Sequence, residues 1–189
     1  MRLLVIGAHH GLGAVLVQAA RVADHAVTAF EGDVLDPEEV DEAMEGQQAV
    51  ISALGPRRGS PDDLCARGTA HAIAAMHRAG ARRLVLVSGA MVGEEARLGL
   101  VYRAIRAVVP RATLADRRQA EALVRQSGLD WTIARPVRLT DTPARGRWRT
   151  DPAASVGPFA RIARADAASA LVQALSDPET VGQALLLQR

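Results

Sequence analysis

Two patterns of apolar and polar positions alternate along most of this chain. Short, continuous apolar runs, typical of buried strands, occupy residues 2–6, 25–30, 48–54, 82–89, 129–136 and 184–187. Between them, apolar residues three or four positions apart predict helices over 11–23, 36–46, 62–79, 97–108, 114–127 and 166–175. Strands that alternate with helices form a parallel sheet covered on both faces. We therefore expect one doubly wound α/β domain spanning residues 1–189.

The stretch over residues 137–160 breaks this alternation. It is rich in Arg, Pro and Gly, which predicts a loop-rich flap with a short strand near Trp148. Because the chain leaves no room for a separate substrate domain, a substrate would bind in an open site on the side of this flap.

A second irregularity follows the strand that ends at Phe30. Only Glu31 and Gly32 separate it from a GDV turn, although neighbouring parallel strands need a crossover of about a dozen residues. Two explanations stay open: the protein has lost a βαβ crossover, or residues are absent from the sequence between Phe30 and Glu31. The sequence favours the second.

Composition excludes several classes of protein and of chemistry. The chain of 189 residues is 49% hydrophobic, and no apolar run approaches the roughly 20 residues of a membrane span, so a cytoplasmic protein without a membrane partner is expected. A single cysteine, Cys65, gives no disulfide and no metal-ligand spacing. The arginines are dispersed at a net charge of +2, which does not favour nucleic-acid binding.

The basic residues are all arginine, and this narrows the chemistry further. Without lysine there is no Walker-type phosphate loop, no Schiff base and no Tyr-x-x-x-Lys pair. Tyr102 and Arg106 have the spacing of that pair, but an arginine cannot release a proton when the reaction requires it. Tyr102 is expected to pack or to contact substrate.

The segment GAHHGLG, residues 7–13, follows the first apolar run directly. Glycines at this spacing between a strand and a helix are typical of a turn that presents backbone N–H groups and a helix N-terminus to a pyrophosphate. Gly7 would permit the tight turn, Gly11 the close approach of the backbone, and Gly13 the packing of helix on strand. The position of the turn therefore predicts dinucleotide binding.

Six segments occur together in an order that resembles a known family. They are GAHHGLG, GDVLD (32–36), AVISALG (49–55), GTAHAIAAMHRAGARRLVLVSG (68–89), SGLDWTIARPVRLTD (127–141) and RADAASALVQAL (164–175). The chain resembles the atypical short-chain dehydrogenase/reductases of the NAD(P)-binding NmrA-like group, most of all the flavin reductase/biliverdin-IXβ reductase type. The resemblance implies a Rossmann-like fold and a bound nicotinamide dinucleotide, NADP in preference to NAD.

The resemblance also implies roles for individual residues. The pyrophosphate would be held by Gly7, Ala8, His9, His10, Gly11, Leu12 and Gly13. Adenine would contact Asp33 and Val34, and the ribose and phosphate side would be lined by Leu54, Gly55 and Arg57. The nicotinamide would lie beside Val87, Ser88 and Gly89, and would be covered by Pro136, Val137 and Arg138.

Two residues are implied to act in catalysis. Ser88 would position the nicotinamide or donate to the acceptor, and Arg138, or Arg135 in its place, would stabilise negative charge on the reduced acceptor. The sequence departs from the family's pattern in its glycine spacing, G-x-x-x-G-x-G, and at Arg138, where biliverdin-type enzymes carry a histidine. On one helix, Asp116 and Glu121 are expected to form a solvated face.

These residues imply an NAD(P)H-dependent reductase that transfers hydride to a planar small molecule such as a flavin, quinone or tetrapyrrole. The alternative is an NmrA-like binding protein that senses the dinucleotide without turnover. No metal site is expected, and the sequence leaves the oligomeric state open.

Overall fold

A computed structural model describes residues 1–94, 97–151 and 155–189. The described strands are β1 Arg2–Ile6, β2 Ala26–Ala29, β3 Ala49–Ser52, β4 Arg83–Val87, β5 Asp130–Pro136, β6 Arg138–Thr140, β7 Arg149–Asp151, β8 Arg161–Ala163 and β9 Gln183–Gln188. The described α-helices are α1 Gly11–Val22, α2 Pro37–Met44, α3 Leu64–Ala79, α4 Leu100–Val108, α5 Arg111–Gln126 and α6 Arg164–Ser176.

One sheet organises the molecule. Its described strands follow the order β2-β1-β3-β4-β5-β9-β7, and all neighbours pair in parallel except β7 with β9. The chain runs from β1 outward to β2 and then returns past β1 to β3, so the strand order reverses between β1 and β3. The predicted doubly wound, Rossmann-like α/β domain is confirmed.

Both faces of the central strands are buried, which explains their continuous apolar character. In β1, Leu3 and Val5 pack under α1 and α6, whereas Leu4 and Ile6 pack under α2 and α3. Each of these four side chains is at most 1% exposed. The sheet therefore forms a rigid base, and its strand ends hold the loops that follow them.

The connection after β2 differs from the expectation. Residues 30–36 lead from β2 into α2, which begins at Pro37 and is capped by the side chain of Asp36. Since β2 and β3 are not neighbours but flank β1, α2 itself is the crossover between them. The chain therefore passes from β2 to β3 through α2 alone, and β2 lies at the edge of the sheet. The favoured explanation, in which residues are absent after Phe30, stays a prediction that the mass of the purified protein would test.

The ends of several helices move by a few residues from their predicted positions. The helix α5 begins at Arg111, directly after Pro110, and α6 begins at Arg164 rather than Asp166. Pro110 itself lies outside the helix at the N-cap position, a place where a missing backbone N–H costs nothing.

The predicted flap has more regular structure than the sequence suggests. Its first residues form β6, which pairs in parallel with β8, and β7 extends the main sheet beside β9 at the position expected near Trp148. Trp148 is half-buried against the core, and residues 152–154 of the flap lie outside the described residues. In the described residues, no helix has the length and apolar character that crossing a membrane requires.

Candidate functional site

The C-terminal ends of the parallel strands carry three cavities in a row. A cleft of about 490 Å³ lies at the ends of β1, β2 and β3, and an apolar pocket of about 500 Å³ lies at the ends of β4 and β5. A small cavity of about 10 Å³ lies between them and shares Leu54 with the cleft. Neighbouring strands are about 4.8 Å apart, so the row extends roughly 14 Å from β1 to β5.

The cleft lies at the point where the strand order reverses, which is where open α/β sheets bind ligands. Gly7 has a φ of +78°, and a side-chain Cβ there would be 2.7 Å from the backbone oxygen of Ala53. A Cβ on Gly13 would be 1.9 Å from the backbone oxygen of Gly7. Both glycines are therefore required by the contact between the turn, α1 and β3.

The cleft brings together nine of the predicted cofactor residues. They are Gly7, His9, His10, Gly11, Asp33, Val34, Leu54, Gly55 and Arg57. Ala8 and Leu12 are buried behind the turn, and Gly13 packs against it, so these three residues support the cleft rather than line it.

The two histidines stay within the turn because each has a partner outside it. His9 Nε2 lies 3.2 Å from the backbone oxygen of Phe30, at the end of β2. The Arg57 guanidinium donates to His10 Nδ1, which joins the turn to the loop after β3. His10 is also the N-cap of α1, whose first turn contains no acidic residue.

Carboxylates gather at the β2 side of the cleft. Glu31 and Asp33 line it, and Glu39 accepts a hydrogen bond of 2.7 Å from the backbone N–H of Asp33. One oxygen of Asp33 accepts from Leu35 N at 2.9 Å, which holds the loop in place. This end of the cleft is acidic, whereas the end beside Arg57 is basic.

The small cavity lies under the end of β4. Ser88 is 8% exposed, and its hydroxyl, like that of Thr69, lines this cavity without a hydrogen-bond partner among the described residues. Val87, the preceding predicted residue, is buried on the same cavity wall.

A half-buried arginine that sequence reasoning missed lies beside this cavity. Arg117 of α5 donates to the backbone oxygen of Ser88 at 3.4 Å, and its Nη2 approaches Gly55. Its guanidinium therefore lies between the cleft and the end of β4. Nothing in the pattern of α5 distinguishes it from the neighbouring Arg118.

The apolar pocket contains the remaining predicted residues, Gly89, Pro136, Val137 and Arg138. Tyr102 of α4 joins three of its walls, because its hydroxyl donates to Ala160 O at 2.6 Å and accepts from Arg138 N at 2.9 Å. Both functions of the hydroxyl are thus occupied. Tyr102 holds the pocket together and is not placed to act as a proton donor.

Comparison with known protein families identifies the family of this chain. Residues 2–178 match a family described as NAD(P)H-binding. The chain belongs to the NAD(P)H-binding family. The nicotinamide-dinucleotide-binding family that the resemblance implied is confirmed.

Solved structures share the fold of this NAD(P)H-binding protein. The oxidoreductase ylbE from Lactococcus lactis matches with a TM-score of 0.81 and 19% identity, over 99% of this chain and 90% of that chain. A wide-type short-chain dehydrogenase/reductase from Veillonella parvula, in complex with NADP, gives 0.81 and 18%, over 100% and 94%. ChuY, an anaerobilin reductase from Escherichia coli O157:H7, gives 0.79 and 23%, over 99% and 96%.

The expectation that Asp116 and Glu121 form a solvated face of α5 in this NAD(P)H-binding domain is wrong. Asp116 is 6% exposed and accepts from the backbone N–H groups of Cys65 and Ala66 at 3.0 and 2.7 Å. Glu121 is 4% exposed and forms a two-point ion pair with Arg135. Both face inward because α5 packs on α3 and β5.

That ion pair also separates the two arginines considered for catalysis. Arg135 is committed to Glu121, whereas Arg138 is exposed on the apolar pocket, with no ion pair among the described residues. Arg138 is thus the arginine available to a ligand. The described residues contain no cluster of His, Cys, Asp and Glu that could hold a metal ion.

Proposed function

We propose that the protein is an NAD(P)H-dependent reductase that transfers hydride to a planar acceptor such as a flavin, quinone or tetrapyrrole. The observation that carries this proposal is the row of cavities along the strand ends, with a glycine turn at one end and an apolar pocket at the other. An elongated dinucleotide in the cleft would extend toward the pocket where the acceptor binds.

The cleft fits a dinucleotide. Its backbone turn has no room for side chains at Gly7 and Gly13, and the N-terminus of α1 points its unpaired N–H groups at the space in front. A pyrophosphate there would be favoured by the helix dipole and by the charge of Arg57. Arg117 would contact the nicotinamide side of the dinucleotide, near Gly55.

The acidic end of the cleft bears on which dinucleotide binds. An acidic residue at this strand end accepts from the ribose 2′-hydroxyl of NAD, whereas an arginine accommodates the 2′-phosphate of NADP. Here Glu31 and Asp33 line the cleft beside β2. The sequence favours NADP, but these carboxylates support NADH as the preferred donor.

The apolar pocket fits a hydride acceptor. Bound reduced nicotinamide supplies the hydride. Hydride alone converts a flavin or quinone ring into an anion, so the protein needs to supply a positive charge rather than an acid. Arg138 would stabilise that anion, and the unpaired hydroxyl of Ser88 would position the nicotinamide from the end of β4.

The first test is oxidation of NADH and of NADPH by the purified protein with FMN as acceptor. We expect turnover with a higher kcat/KM for NADH, and a loss of about tenfold or more in Arg138→Gln and Ser88→Ala. Arg21→Gln, an exposed change at the far end of α1, is the matched control. Unchanged rates in both site variants would contradict the assigned roles.

A specific observation also supports the sensor. Apart from its arginines, the described lining of the apolar pocket has one titratable side chain, Tyr102, and its hydroxyl is already occupied. A protein that binds the dinucleotide without using it needs no proton donor, so this lining favours the sensor over a reductase only for acceptors that must be protonated during reduction. Bound NADH that survives with flavin, quinone and tetrapyrrole acceptors would establish the sensor.

A further inference from the structure

We infer that Arg161 selects acceptors that carry an anionic substituent, such as a phosphate, sulfonate or carboxylate, on an apolar planar body. This inference rests on the proposed function, because it names the chemical class of molecule that the apolar pocket accepts. It assigns Arg161, a residue outside the predicted site, to substrate recognition.

The first observation is the pairing of β6 with β8. The register of this parallel pair sets Arg138 directly beside Arg161. Residues paired in this way project their side chains on the same face of a sheet, and like charges side by side are unfavourable. Both residues line the apolar pocket and both are exposed.

The second observation is that no carboxylate compensates these charges. Among the described residues, neither guanidinium has an ion pair or a hydrogen bond, and the described pocket lining contains no acidic residue. Two acidic side chains nearby, one of which borders a small cavity together with Arg161, have other partners. Asp141 pairs with Arg164, and Asp166 accepts from the backbone N–H groups of Arg145 and Gly146.

The third observation is the contrast between these charges and the rest of the pocket. Met91, Val101, Ile105 and Phe159 supply apolar walls, and Phe159 is 87% exposed. A ligand that suits both parts has an apolar ring and an anionic group. If Arg138 serves the charge that develops on the ring, a second arginine beside it serves an anion that the acceptor already carries.

Two matched pairs of acceptors test this inference: FMN with riboflavin, and 1,4-naphthoquinone-2-sulfonate with 1,4-naphthoquinone. The members of each pair differ by one anionic group. We expect Arg161→Gln to raise the KM and the Kd for FMN and for the sulfonate about tenfold, and to leave riboflavin and the neutral quinone within about twofold. Higher salt should weaken only the anionic members. Arg21→Gln should change neither pair.

Equilibrium dialysis of each acceptor keeps this test separate from that of the proposed function. If the protein binds FMN more tightly than riboflavin through Arg161 but never consumes NADH, the reductase proposal fails and the inference stands. If turnover occurs while Arg161→Gln affects both members of a pair equally, or neither, the inference is overturned. If Arg161 favours FMN over riboflavin but does not favour the sulfonate over the neutral quinone, recognition of anionic groups in general is overturned. Recognition would then be restricted to phosphate. If none of the four compounds binds, the inference fails.

Discussion

Gly13 shows how closely backbone segments approach at the site. A Cβ on Gly13 would lie only 1.9 Å from the carbonyl oxygen of Gly7, so the two atoms would overlap. In the sequence, Gly13 was recognised by its place in the glycine pattern of GAHHGLG. The close contact with Gly7 is the physical reason why a glycine is needed at this place. Folding therefore depends on this contact, and so does the shape of the turn that lines the cleft.

Gly13→Ala is therefore expected to destabilise the fold strongly. Relieving the overlap would push α1 away from β1, at a cost of about 3 kcal/mol in the free energy of unfolding. Urea denaturation followed by circular dichroism measures this cost. Gly157→Ala is the control, because a Cβ there meets nothing within 4 Å, and equal losses in the two variants would contradict the explanation.

Cys65 illustrates a side chain whose chemistry is suppressed by its surroundings. Burial raises the pKa of its thiol to about 12, with the neighbouring Asp116 carboxylate contributing in the same direction. The thiolate, which is the nucleophile, is therefore nearly absent at neutral pH. Cys65 is therefore not expected to act as a nucleophile.

A thiol reagent such as DTNB is expected to leave Cys65 unmodified in the native protein at pH 8 and to modify it fully in urea. Because the pKa is higher in the folded than in the unfolded state, the neutral thiol favours folding below about pH 9 and this contribution is lost as the pH rises toward 12. Cys65→Ala should remove that part of the alkaline loss. Rapid modification of the native protein would show that the thiol is accessible and ionised.

At the scale of elements, α3 obtains its N-terminal cap from another helix. Its own N-cap residue, Asp63, makes no side-chain cap hydrogen bond. Asp116 of α5 instead accepts from the second and third N–H groups of α3, the groups that an N-cap side chain normally satisfies. One carboxylate thus joins two of the helices that cover this face of the sheet.

Asp116→Ala is expected to lower the free energy of unfolding by about 2 kcal/mol, since it leaves two buried N–H groups without an acceptor. Asp63→Ala is the matched control and should change it by less than about 0.5 kcal/mol, because its contact with Arg67 is exposed. Chemical denaturation compares them directly. A larger loss in the Asp63 variant would show that α3 caps itself.

The elements were predictable to different degrees for physical reasons. Buried strands such as β1 and β4 were evident because a parallel sheet requires continuous apolar runs. The inward positions of Asp116 and Glu121 were not, because polar side chains on a helix look solvated until the partner that buries them is known. The strands β6 and β8 were missed because their pairing joins residues more than twenty positions apart.

At the scale of the molecule, the sequence predicted the fold class and the residues of the cleft but not how the cavities divide them. Ser88 lies in the small cavity, whereas Gly89 lies in the apolar pocket. Both residues follow the end of β4 at Val87, where the alternation of a strand no longer applies, so sequence proximity alone could not assign them to a cavity. The roles of Arg117 and Arg161 depend on contacts across elements that no local pattern records.

The position of β2 at the sheet edge has a consequence for how such proteins diversify. In the commonest doubly wound order, a further strand lies outside the one that corresponds to β2. Only one neighbour depends on an outermost strand for its backbone hydrogen bonds, so its gain or loss leaves every other pairing in place. The edge beside the acidic end of the cleft is thus the place where a lineage can add or remove a whole βα unit while the remaining strand ends keep their positions.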